Sequence, residues 1–190
     1  MSDIMQGFPP AEQNRVSLAN WRKAPYCHWA FHHVREIIPT AEIPNNPKDV
    51  WELEAGVMDI SCLGLEKIMA DTDSDAVVIL HDNKLVHETY RNGMTANDPH
   101  ILMSVSKSML GLVAGTLVER GELAIDNLIT KFVPELSNTA YAGATVRDLL
   151  DMRAGILFDE DYLATEGPIV DYRYAANWNP VPKNREPGDL

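Results

Sequence analysis

The chain has 190 residues, which sets an expectation of one domain or two small ones, large enough to bury a core without a disulfide or metal staple. Sixteen Lys and Arg against 28 Asp and Glu give a net charge of −12, which argues against a nucleic-acid partner and against docking on anionic lipid. With 45% apolar and 23% charged residues the composition is that of a folded globular chain rather than a disordered one.

Two cysteines, Cys27 and Cys62, are too few for a disulfide framework and lack zinc-site spacing. The N-terminus has an early acid, Asp3, and neither a basic region nor the apolar core of a secretion signal. No run of about 20 apolar residues is present to span a bilayer. These features predict a cytoplasmic protein with reduced thiols and no membrane association.

In chain order, residues 1–50 read as an irregular lead-in packed on the core, with Trp21, Tyr26, Trp29 and Phe31 as anchors and Pro39, Pro44 and Pro47 breaking regular structure. Asp71-Thr72-Asp73-Ser74-Asp75 begins like a calcium loop, but Ala76 stands where its glycine belongs, so it reads as a polar turn. Ala76 to Tyr90 predicts a hairpin turning near Asp82-Asn83. Its first arm is almost continuously apolar, which predicts cover on both faces.

Ser104 to Arg120 keeps the helical spacing at Met109, Leu112, Val113, Thr116 and Leu117, with Gly121 as its stop. Gly111 and Gly115 lie four apart within it, which predicts another element packed closely there. Thr145 and Asp148 have the spacing of a capping box at the start of a short helix that stops at Gly155. From Leu157 to Leu190 no period holds; Pro168, Pro180, Pro182 and Pro187 mark a long loop. A hairpin followed by helices predicts an α+β fold.

The candidate chemistry lies at Ser104-Val105-Ser106-Lys107, the one Ser-x-x-Lys of the sequence. Three residues apart on a helix, the two side chains share a face. Ser104 at the first turn would sit among free backbone N–H groups at the positive end of the dipole. A serine hydroxyl needs a neighbour to take its proton, and lysine can do so only as an uncharged amine. Only about one ordinary lysine in 2,500 is uncharged at pH 7, so such a site calls for burial of the ammonium. Read blandly, Ser104 is an N-cap and Lys107 a solvated first-turn residue.

His28, His32 and His33 cluster in sequence, but no further ligand stands at metal spacing, and His87-Glu88 lacks the second histidine of a zincin motif. They read as core or rim histidines, and no metal or organic cofactor is expected. No glycine-rich phosphate loop is present.

Met103-Ser104-Val105-Ser106-Lys107-Ser108 ahead of a small-residue helix resembles the serine β-lactamase and penicillin-binding-protein superfamily. Leu123-Ala124-Ile125-Asp126-Asn127, Val133-Pro134-Glu135-Leu136 and Thr145-Val146-Arg147-Asp148-Leu149-Leu150 are similar to its later landmarks and follow in the same order. Trp21-Arg22-Lys23-Ala24-Pro25, Phe158-Asp159-Glu160-Asp161-Tyr162 and Ala176-Asn177-Trp178 resemble, within it, the 6-aminohexanoate-dimer hydrolases and related esterases.

The resemblance implies a β-lactamase/transpeptidase-like α+β fold, an antiparallel sheet with a helical region, incomplete in this chain. Residues 51–190 would be the N-terminal part of that hydrolase domain. It further implies a serine hydrolase of small amides or esters working through an acyl-enzyme. Ser104 would be the nucleophile and Lys107 the general base, with Tyr162 on a mobile loop and Trp178 lining the substrate pocket. The superfamily's late Tyr-x-Asn and Lys-x-Gly motifs are missing; Tyr174-Ala175-Ala176-Asn177 has one residue too many. A companion chain or a homo-oligomer is the corresponding expectation, and a non-catalytic fragment used as a binding or assembly module is the alternative.

Overall fold

The computed structural model describes residues 3–184. The chain forms two compact units: residues 1–101 with 174–190, and residues 102–173.

The first unit is built on a three-stranded sheet. β1 (Glu54–Ala55), β2 (Ala76–His81) and β3 (Lys84–Tyr90) lie in the order β1-β3-β2. β2 and β3 are the predicted hairpin. Asp82 and Asn83 take φ of 48° and 59°, the pair of left-handed residues a tight twisted turn requires. β1 runs parallel to β3, with Glu54 opposite Lys84, so the sheet is mixed rather than antiparallel. That strand is two residues long and its partner lies some 30 residues on, too weak a pattern to read. The expected double cover of β2 is absent: Val78 and Leu80 are about half exposed (50% and 52%) among the described residues.

Around the sheet, the lead-in is irregular apart from short helical turns and α1 (Cys27–Ala30). α2 (Leu65–Asp71), unread in the sequence, places Met69 fully inside. Trp21 is buried, meets Phe31 edge-on at 5.9 Å, and donates its indole N–H to Trp178 O at 2.9 Å. Phe31 O in turn accepts from Ile101 N at 2.7 Å. Of the four aromatic residues read as anchors, Trp21 is buried, and Tyr26, Trp29 and Phe31 are half-buried.

The second unit contains α3 (Val105–Glu119), α4 (Val146–Leu150) and, through Arg173, most of α5 (Pro168–Ala175). α3 ends at Arg120, and Gly121 follows at φ 71°, the left-handed stop read from the sequence. Of α3 only Ala114 is buried, and a Cβ at Gly111 or Gly115 would meet nothing within 4 Å. The close neighbour expected at those glycines is thus not among the described residues. α4 carries a complete capping box: Asp148 N donates to Thr145 Oγ1 at 3.1 Å, and Thr145 N donates back to Asp148 Oδ2 at 2.9 Å. It ends earlier than expected, with Asp151 as cap and Met152 already at φ 56°.

Main-chain bonds from Ile129 N to Ala144 O, Val146 N to Asn127 O and Arg147 N to Ile125 O tie residues 125–129 to the start of α4. α5 corrects the expectation of a loop throughout 157–190. Pro168 stands at its first position, where a missing N–H costs nothing. Its buried residues are Ile169, Val170 and Arg173. An arginine inside breaks the apolar pattern by which a helix is recognised. The expectation for residues 185–190 lies outside the described residues.

Candidate active site

Ser104 and Lys107 are brought together. Lys107 Nζ lies 3.2 Å from Ser104 Oγ, one helical turn apart at the head of α3. Ser104 is the N-cap by position, but its φ of −69° and ψ of −11° are helical and its hydroxyl makes no capping bond. The cap reading therefore does not account for the side chain, whose partner is the amine.

Met103, immediately before it, takes φ 47°, a left-handed conformation that costs free energy for a residue with a side chain. Chain entry through this residue forms tight turns. Val105, Ser106 and Lys107 N–H groups donate to Leu102, Met103 and Ser104 carbonyls at 3.0–3.1 Å. The first-turn donors expected to be free are thus engaged. Ser104 N–H alone of this group has no acceptor among the described residues.

Lys107 is exposed. The described residues do not supply the burial that the sequence argument asked for.

Tyr162 belongs to the same unit and is 56% exposed. Its hydroxyl donates to Glu160 Oε2 at 3.0 Å. That bond, then the charge of Glu160, holds the phenol above its ordinary pKa. The chain bearing it is shaped by two aspartates: Asp159 Oδ1 accepts from Asp161 N at 3.2 Å, and Asp161 Oδ1 from Leu163 N at 2.9 Å. Arg173 donates to Tyr162 O and Ala164 O at 2.6 and 3.0 Å.

Trp178 lies in the other unit, half-buried, with Arg22 Cζ 5.7 Å from its ring centroid.

The histidine cluster is engaged in ring and main-chain contacts. His32 Nε2 lies 2.6 Å from His28 O, His33 Nδ1 2.7 Å from Trp29 O, and His28 Nε2 3.3 Å from Asp73 Oδ1. His33 stacks on Trp29 at 4.0 Å. Among the described residues no group of three or more His, Cys, Asp or Glu is arranged to hold a metal ion. Both cysteines are free, and the Cys27 thiol is pushed up, first by burial and then by the charges of Asp73 and Asp75.

Two polar residues escaped the sequence reading. Asp75, at the entry to β2, is buried at 6% exposure and accepts from Asn92 Nδ2 at 2.6 Å. Its other oxygen lies 2.9 Å from His100 Nε2. Its signal was hidden in an aspartate run that reads as a solvated turn. Arg173 is the other, inside α5.

The beta-lactamase family model matches residues 65–188. The chain belongs to the beta-lactamase family. Within that range lie β2, β3, α3 and α4, and with them the stretches 103–108, 123–127, 133–136 and 145–150 that carried the resemblance. The 6-aminohexanoate-dimer hydrolase of Paenarthrobacter ureafaciens is 33% identical over 187 residues, covering 96% of this chain and 46% of the relative. A solved structure from Bacillus anthracis, assigned as a 6-aminohexanoate-dimer hydrolase, superposes with a TM-score of 0.78 at 26% identity. That match covers 94% of this chain and 49% of the other. The chain spans about half the length of these two relatives. Its fold is beta-lactamase-like, with a small mixed sheet and helices. Among the described residues no helix is long and apolar enough to cross a membrane.

Proposed function

We propose that this chain carries the nucleophile of a serine hydrolase that cleaves amide or ester bonds through an acyl-enzyme. Ser104 Oγ attacks the carbonyl carbon while Lys107, as an uncharged amine, takes the hydroxyl proton. The ammonium so formed gives that proton to the departing amine or alcohol as the C–N or C–O bond breaks, leaving the acyl-enzyme. The amine, uncharged again, then takes a proton from the water that attacks the acyl carbon, and returns it to Ser104 Oγ as the acid is released. Ser104 N–H donates to the developing oxyanion. The observation that carries the reading is the 3.2 Å approach of Lys107 Nζ to a Ser104 hydroxyl that does no capping. The left-handed Met103 adds support, because such strain clusters at functional sites.

The relatives named for 6-aminohexanoate dimer suggest a linear amide, or the corresponding ester, as substrate. Tyr162 and Trp178 are proposed to contact it.

Treatment with a fluorophosphonate, followed by intact mass and peptide mapping, tests the assignment. One adduct on Ser104, lost in Ser104→Ala, is the expected result; labelling that persists in the variant overturns it.

The exposure of Lys107 favours a second reading, a non-catalytic binding or assembly module. Absence of any adduct and of ester hydrolysis above background in the protein of confirmed mass would select it.

A further inference from the structure

Arg173 presents a problem of charge. It is 6% exposed, so its guanidinium is largely out of water, yet no carboxylate pairs with it among the described residues. Its partners are two main-chain carbonyls, Tyr162 O through Nη2 at 2.6 Å and Ala164 O through Nη1 at 3.0 Å. Its Nε is buried without a partner among the described residues. Burying a guanidinium to serve two loop carbonyls is costly, and a fold needing only area there would be served by an apolar side chain.

The two carbonyls bracket Leu163. The fork therefore fixes the chain on both sides of one residue, a planar two-point grip that a lysine cannot reproduce. Seen from outside, the same stretch projects Tyr162, 56% exposed, and Leu163, 91% exposed. Asp159 and Asp161 close the turns leading into it. The loop is thus tied from within by one buried cation, and what it presents outward is an aromatic ring and an aliphatic side chain.

We infer that Arg173 is a positioning residue that fixes the presentation of Tyr162, and thereby sets substrate affinity rather than the reactivity of Ser104. This inference rests on the proposed role of Tyr162 in substrate contact. Releasing the grip leaves the loop in several conformations, of which one meets the substrate. If that conformer falls to roughly a tenth of the population, KM for an extended amide or ester rises about tenfold. The chemical step, once substrate is bound, changes little.

The test uses the full chain with Arg173→Met, which cannot donate, and Arg173→Lys, which can satisfy one carbonyl. Expected are a rise in KM of about tenfold and about threefold respectively, with kcat within about threefold of wild type. In a Tyr162→Ala background, Arg173→Met should raise KM no further, because it acts through that ring. Multiplying effects, an unchanged KM, or a fall in kcat as large as the rise in KM would overturn the inference.

A second measurement is independent of activity. Hydrogen exchange at Asp161, Leu163 and Ala164 amides should quicken in Arg173→Met while α3 amides keep wild-type rates. Unaltered exchange in that loop, or acceleration spread equally into α3, would also overturn it. Failure of wild-type Ser104 to react with fluorophosphonate defeats the hydrolase reading instead, and the exchange result still decides the role of Arg173 on the loop.

Discussion

Asp75 offers the sharpest test of how the first unit holds together. Its side chain is 4% exposed and takes bonds from Asn92 Nδ2 at 2.6 Å and from the His100 ring at 2.9 Å. It sits where β2 begins, and Arg91 N, just past β3, donates to its carbonyl at 2.7 Å. Asp75→Ala removes both side-chain bonds and leaves the carbonyl bond in place. A hydrogen bond to a charged group contributes about 1.5–3 kcal/mol. The two bonds would thus set an upper figure of about 6 kcal/mol were both partners trapped. They are not. Asn92 is exposed and the His100 side chain is 31% exposed, so water can replace the lost acceptor at each. The expected loss is therefore about 2 kcal/mol.

Trp21, Trp29, Trp51 and Trp178 all fall in the first unit, so tryptophan emission reads that unit alone. With a urea slope of about 2 kcal/mol per molar, the midpoint should fall by about 1 M. Asp75→Asn, which keeps one acceptor and the volume, should lose about half as much. A midpoint for Asp75→Ala within 0.2 M of wild type, roughly 0.4 kcal/mol on that slope, would show that the buried carboxylate contributes no net stability and refute the reasoning.

Three further outcomes follow from the second unit. Thr145→Ala removes the hydroxyl of the capping box and should cost about 1 kcal/mol, read as a fall of about 2–4 °C in the melting temperature. The Asp148 carboxyl is held below its ordinary range by the Thr145 hydroxyl and N–H. Its contribution is therefore present above the ordinary carboxylate pKa and is lost as pH falls through the lower folded value; in Thr145→Ala its carboxyl carbon should titrate at higher pH. Tyr162 is raised mainly by the bond to Glu160, so Glu160→Gln should bring its ring-carbon titration down toward the ordinary tyrosine value of about 10; an unmoved midpoint would remove that bond as the cause.

The sequence was most legible where local chemistry alone decides the conformation. Asp82-Asn83 can supply two left-handed residues cheaply, Gly121 one more, and Thr145 with Asp148 a reciprocal pair of bonds. None of these depends on distant chain, and each stands where it was read. Features set by remote partners were less legible. β1 is defined by a strand about 30 residues away, and only two of its residues pair.

The apolar run in β2 implied two covering layers, but Val78 and Leu80 are only about half covered among the described residues. At the candidate site, the Ser104–Lys107 approach follows directly from helical spacing. The engagement of the first-turn N–H groups does not, because it depends on the left-handed turn at Met103. α5 was missed for the reason that makes it interesting: its buried face includes Arg173, and a charged residue at a core position erases the apolar period.

The central claim is that Lys107 acts on Ser104 as a base, and replacing its amine by a permanent cation tests that most directly. Arginine keeps positive charge beside the hydroxyl but cannot accept a proton from it in a protein. The second-order rate of fluorophosphonate reaction at Ser104 should fall by about 10²–10⁴-fold in Lys107→Arg and in Lys107→Ala alike. A Lys107→Arg protein that reacts within about threefold of wild type would contradict the account, since positive charge at that position, and not proton transfer, would then suffice.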